Sequence, residues 1–92
     1  MIVSYECTFF IPAVHSLKAK RSIVQRMVQR ARQRYNVSVS EVDFQDVWQR
    51  ATIAVVAVSE TKAVAEREVE RVLALFESEV EWELTELVKD YF

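Results

Sequence analysis

The spacing of apolar residues switches repeatedly between two periods along this chain, and the order of those switches constrains the fold more than any other feature. Ile2 to Ile11 alternates: Val3, Tyr5, Cys7, Phe9 and Ile11 form one row, and Ile2, Ser4, Glu6, Thr8 and Phe10 the other. Period two with β-branched and aromatic residues predicts a strand, which Pro12 ends. From Leu17 the apolar positions Val24, Met27, Val28, Ala31 and Tyr35 keep one helical face, with Ile23 at its margin. Ser16 is the expected N-cap and Asn36 the expected stop. Val37 to Asp46 alternates weakly, and a change of row predicts a bulge or twist near Glu41. Trp48 to Ser59 is β-branched and apolar on both rows, which predicts a central strand covered on both sides. Ser59 or Thr61 caps a second helix whose apolar face is Ala65, Val69, Val72, Leu73 and Phe76, with Leu75 beside it. Val80 to Thr85 alternates as an edge strand that Glu86 to Phe92 can extend.

Strand, helix, strand, strand, helix, strand is the order of two split βαβ units. The expected fold is therefore an α+β, ferredoxin-like βαββαβ sandwich: a four-stranded antiparallel sheet with two helices on one face. The length supports one domain over residues 1–92. The other sheet face is left open. Because the third strand is apolar on both rows, a second subunit or a ligand is expected to cover it, and a homodimer through the sheet is the simpler expectation.

Glycine is absent, where average usage would supply roughly six residues. Every turn must then avoid left-handed backbone or carry its strain. Cys7 is the only cysteine, which excludes an internal disulfide and a cysteine-clustered metal site. No apolar run approaches the ~18–20 residues of a membrane span. The N-terminus has no basic segment and an early acid, so it does not read as a signal peptide. A cytoplasmic protein with no membrane partner, metal or cofactor is expected.

Charge is unevenly distributed. Cys7 to Ser40 holds seven cations (Lys18, Lys20, Arg21, Arg26, Arg30, Arg32, Arg34) and no acid; Glu41 to Phe92 holds thirteen acids and five cations. Such a split points either to a polyanion-binding element or to two halves that attract each other.

Two motifs carry a resemblance. Pro12 precedes His15-Ser16-Leu17-Lys18-Ala19-Lys20-Arg21, and Asn36-Val37-Ser38-Val39-Ser40-Glu41-Val42-Asp43 precedes Gln45-Asp46 and Trp48-Gln49-Arg50-Ala51. In order and spacing these resemble the bacterial YlxP-like family over nearly the whole chain. The resemblance implies a ferredoxin-like fold without an established biochemical activity. The family's genes commonly neighbour those of translation initiation and ribosome-maturation factors, which implies an RNA or ribosome connection by association. The chain departs from the family pattern at Ala13, where glycine is common, and at Ile53-Ala54, where Leu-Gly is common.

The sharpest candidate site is the first helix. Lys18, Lys20 and Arg21 lie in its first turns with His15 just before, where the macrodipole and unpaired N–H groups favour acids. Each cation there costs a few tenths of a kcal/mol, and a phosphate docked at that end would reverse the sign. Arg26, Arg30 and Arg34 form an i, i+4 row suited to a nucleic-acid backbone. The competing reading pairs these cations with Glu66, Glu68, Glu70, Glu77 and Glu79 of the second helix, at ~0–1 kcal/mol for each surface pair.

Trp48, Gln49 and Arg50 form a possible secondary site, with tryptophan stacking a base and arginine holding phosphate. Structurally, Trp48 would instead seal the core while Arg50 pairs with Asp43, Asp46 or Glu41. Tyr5, Phe9 and Phe10 are expected in the core or a dimer surface, since an RNA-recognition sheet signature is missing. No catalytic set is legible. Cys7 reads as core, the glycine-rich phosphate loop of acylphosphatases has no counterpart, and the Cys-x-x-Cys of ferredoxin-like metal chaperones is absent. A non-enzymatic module contacting RNA or a ribosomal particle through the first helix is the leading expectation. The alternative is a protein-interaction module dimeric through its sheet.

Overall fold

The computed structural model describes residues 1–78 and 81–92. Its elements run β1 (Ile2–Phe10), α1 (Leu17–Arg34), β2 (Ser38–Asp43), β3 (Arg50–Val58), α2 (Lys62–Glu77) and β4 (Glu83–Tyr91). The strands form one sheet in the order β2-β3-β1-β4 with every neighbouring pair antiparallel. This is the expected ferredoxin-like arrangement, with β1 and β3 central and β2 and β4 at the edges.

The strand alternation becomes burial directly. Val3, Tyr5, Cys7, Phe9 and Ile11 of the first row are fully buried, as are Ala51, Ile53, Val55 and Ala57 from β3. The helices bring Val24, Met27, Val28 and Ala31 from α1, and Ala65, Val69, Val72, Leu73 and Phe76 from α2. β2 shifts register between Glu41 and Asp43, the bulge expected from its change of row. β4 begins at Glu83, and Trp82 packs into the core just before it; Val80, the expected start of that strand, lies outside the described residues. Glu81, within the span expected for that strand, sits exposed in the turn ahead of it.

Helix starts follow the capping residues. Ser16 Oγ accepts from the Ala19 N–H at 3.1 Å, and Thr61, not Ser59, caps α2 by accepting from the Val64 N–H at 3.3 Å. Helix ends show how a chain without glycine turns. α1 leaves through Tyr35 in extended backbone (φ −130°), not through a left-handed C′ residue. Ala13, where the family commonly has glycine, also avoids positive φ, so the β1–α1 loop closes without one. One described residue does adopt left-handed backbone: Phe44, at φ 62°. For a bulky residue that conformation costs about 1–2 kcal/mol. Asp43 Oδ1 accepts from the Phe44 N–H at 2.7 Å, and Lys20 Nζ donates to its carbonyl at 2.8 Å. The Arg50 guanidinium lies 5.4 Å from its ring centre. The strain sits where these bonds hold it.

The open sheet face is only partly apolar. Thr8 and Thr52 are buried there and share a hydrogen bond at 2.8 Å. Glu6, Asp43 and Glu86 surround them around a shallow hollow. Apolar exposure gathers at the far end, where Ile2 and Val58 face each other across β1 and β3. Met1 and Phe92 are tied beside them by backbone bonds to Ser59 and Ile2. Among the described residues no helix is long and apolar enough to cross a membrane.

Candidate nucleic-acid interface

α1 carries seven cations and no acid over Leu17–Arg34. The structure sorts them into four environments. Lys20 lies on the apolar stripe one turn before Val24 and is fully buried. Its ammonium pairs with Glu41 of β2 and donates to the Phe44 carbonyl. It is therefore withdrawn from the solvent-facing anion set in which the sequence placed it. The dipole penalty expected for it is compensated locally by Glu41. Arg21 meets Asp46 at 3.2 Å, but both are exposed, at 52% and 93%. Such a pair is worth ~0–1 kcal/mol and yields readily to another anion. Arg32, outside the expected site set, donates to the Val39 carbonyl at 2.8 Å and anchors α1 to β2.

Lys18, Arg26, Arg30 and Arg34 are exposed and have no carboxylate partner among the described residues. Arg30 makes only a long contact to Met27 Sδ at 3.9 Å. The pairing expected between the two helices is not made among the described residues. α2 engages its own acids elsewhere: Glu68 meets Arg71 at 3.8 Å, and Glu70 accepts from the Tyr5 hydroxyl and meets Lys89 at 3.5 Å. The physical reason is placement. α1 leans over β2, whereas α2 lies over β1 and β3, so the cations of α1 that find partners find them on β2 and its loop.

That loop unites the two candidate clusters. Residues 44–49 fold beside the β1–α1 loop at the head of α1. Val47 N–H donates to the Phe44 carbonyl at 3.0 Å, closing a turn. Gln49 bridges the loops twice: its Nε2 donates to the Pro12 carbonyl at 3.1 Å, and its carbonyl accepts from the Ile11 N–H at 2.8 Å. Trp48 is then held against His15, ring centres 6.2 Å apart and planes 70° from parallel. Trp48 does not seal the core as the structural reading expected; it stays 42% exposed. The core tryptophan is Trp82, packed on Phe9 and Phe76. Arg50 does not pair with Asp43, Asp46 or Glu41, because Asp46 and Glu41 serve α1 and Asp43 serves the Phe44 N–H; it lies over the Phe44 ring instead.

The alternation misses the His15–Trp48 pairing, since nothing local links the two loops. The placement of Lys20 does have a signal: it stands four residues before Val24 and seven before Met27, on the buried stripe.

A groove of about 380 Å³ runs between α1 and β2, with Gln25, Gln29, Arg32, Ser40 and Glu41 over a floor of Val24 and Val28. Reactive groups lie elsewhere and are closed. Cys7 is buried, and burial first, then the charges of Glu77 and Glu70, push its thiol up to about 12. The Tyr5 phenol is held well above its ordinary value by burial and by donating to Glu70. Among the described residues no three His, Cys, Asp or Glu side chains converge as a metal-ligand set.

Comparison with known proteins agrees with the motifs. The family described as "Protein of unknown function (DUF503)" matches residues 2–88. The chain is also 39% identical over 92 residues to the "Uncharacterized protein YlxP" of Bacillus subtilis (strain 168), with all of both chains covered. A family match over nearly the whole length, together with a full-length relative, establishes that this chain belongs to the DUF503 family of YlxP-like proteins.

Proposed function

We propose that this protein is an RNA-binding module that contacts the phosphate backbone through the exposed cations of α1. The observation that carries this reading is the row Arg26, Arg30 and Arg34, with Lys18 nearer the helix start, all without a carboxylate partner among the described residues and on a helix without a single acid. Arg26, Arg30 and Arg34 repeat every four residues, about 6 Å apart along the axis. The net charge of −2 opposes long-range attraction, but the carboxylates Glu6, Asp43 and Glu86 lie on the sheet face away from α1. α2, packed beside α1, carries Glu66, Glu68, Glu70 and Glu77, so attraction of a polyanion is confined to α1 itself and acts at short range.

The test is a fluorescence-anisotropy titration with structured RNA over a salt series. Binding should weaken steeply with salt. Arg26→Ala/Arg30→Ala/Arg34→Ala should lower the log–log salt slope by roughly two to three, as three lost phosphate contacts require. All three side chains are exposed, so thermal stability should hold. Salt-independent binding, or a slope unmoved by the triple substitution, would defeat the reading. Lys20 does not belong in such a variant, because its removal damages the fold.

A second reading, association of two copies through the open sheet face, draws on the apolar end of that face. Val58 is 66% exposed opposite Ile2, and Phe92 is 70% exposed beside them. It predicts a melting temperature that rises with protein concentration. Val58→Asp should abolish that rise, as scanned by calorimetry over a hundredfold dilution. A melting temperature independent of concentration would eliminate it.

A further inference from the structure

We propose that Trp48, braced by His15 at the head of α1, is a stacking surface for one unpaired base of an RNA strand whose phosphates lie along α1. This rests on the RNA-binding reading and adds the kind of RNA selected. Four observations carry it.

Trp48 is a large ring left 42% exposed, while the chain's other tryptophan is 5% exposed in the core. Exposing such a ring forgoes burial that a chain this short needs. Its loop is also fixed, not loose. Gln49 clamps the loop to Pro12 and Ile11, and Lys20 holds the Phe44 carbonyl. A ring already held in place loses little freedom on binding, which is the condition under which an exposed aromatic contributes affinity.

The His15 ring stands 70° from the Trp48 plane. A flat ring stacked on one of them therefore meets the other edge-on, so the pair presents a floor and a wall. The head of α1, finally, supplies positive charge. Lys18 and Arg21 stand on its first turns, Lys18 three residues after His15 and Arg21 in contact with Asp46, two residues before Trp48, and the positive end of the helix dipole lies there too. Every nucleobase has a π-face, so such a platform accepts an unpaired base with little regard to its identity. A fully paired helix offers no face to it.

The experiment uses the full chain and two RNAs with equal numbers of phosphates: a mixed-sequence single strand and a blunt duplex. Trp82 is buried, so tryptophan emission changes report Trp48. Single-stranded RNA should quench that emission and duplex should not. Trp48→Ala should weaken single-strand binding roughly five- to hundredfold, the effect of one lost base stack, and leave duplex binding within about twofold. Trp48→Phe should keep most of the single-strand affinity. The salt slope should be unchanged in both variants, because no phosphate contact is removed. Circular-dichroism melts establish that the variants fold.

Salt-dependent binding that Trp48→Ala leaves untouched, or weakens equally for both RNAs, overturns the base-stacking inference while the phosphate reading stands. Absence of salt-dependent binding to either RNA overturns both.

Discussion

Glu41→Leu is expected to cost the fold about 3–5 kcal/mol, the penalty for leaving a buried charge without its partner. The Lys20 ammonium is fully buried, and among the described residues Glu41 and the Phe44 carbonyl satisfy it. Removing Glu41 strands the charge among Val24, Met27 and their neighbours. The reverse change is milder. Glu41 sits on an edge strand with its side chain 16% exposed, and without Lys20 it can turn toward water. Lys20→Met should therefore cost roughly half as much, and the double variant Lys20→Met/Glu41→Leu should recover to near the parent, since a well-packed apolar pair replaces a buried ion pair at little loss. In a chain of this size 1 kcal/mol moves the melting temperature by about 4–8 °C, so the Glu41 variant should melt at least ~12 °C lower. Urea titrations of the four proteins form the cycle, and the coupling between the two sites should be strongly non-additive. Equal losses from the two single variants would contradict the asymmetry, and additive losses in the double would show that the pair does not act as a unit. The consequence reaches the proposed interface, because Lys20 holds the Phe44 carbonyl that begins the Trp48 loop.

Phe9→Ala is expected to cost about 3–5 kcal/mol, as for other fully buried aromatic residues. Its ring meets Phe76 edge-on at 5.9 Å and Trp82 at 5.1 Å, joining β1, the end of α2 and the segment entering β4. Each such pair adds ~0.5–1.5 kcal/mol beyond area burial. Against a total stability of ~5–14 kcal/mol for a chain this long, the loss is a large share. Phe10→Ala is the control. Phe10 is half-buried on the open face, and its loss should be about 1 kcal/mol. Urea unfolding followed by Trp82 emission checks both, and similar midpoints for the two variants would contradict a core centred on the three rings.

The elements were legible because the alternation in β1 and the 3.6-residue stripes of α1 and α2 are statements about neighbours along the chain. Ser16 and the bulge after Glu41 were legible for the same reason: caps and row changes are local. The candidate site was legible only in part. Arg26, Arg30 and Arg34 stand exposed as their spacing implies, and Lys18 with them. Lys20 does not, because a cation on an apolar stripe is acceptable only if another element supplies its anion, and Glu41 comes from β2. Trp48 and Trp82 look alike as residues, and the sequence leaves Trp48 open to two roles, an exposed stacking ring or a seal on the core. The structure gives that role to Trp82, because the path of the chain before β4 brings it onto Phe9 and Phe76.

By itself, then, the sequence determined the order of elements, the two buried rows and the charge carried by α1, since periodicity and composition act over a few residues. Tertiary structure decided which cations remain free, which tryptophan faces water, and that His15 and Trp48 share one surface. Those outcomes depend on α1 leaning over β2 and on the β2–β3 loop folding back to the head of the helix. Contacts between distant segments are set by packing and register, and local pattern carries no term for them.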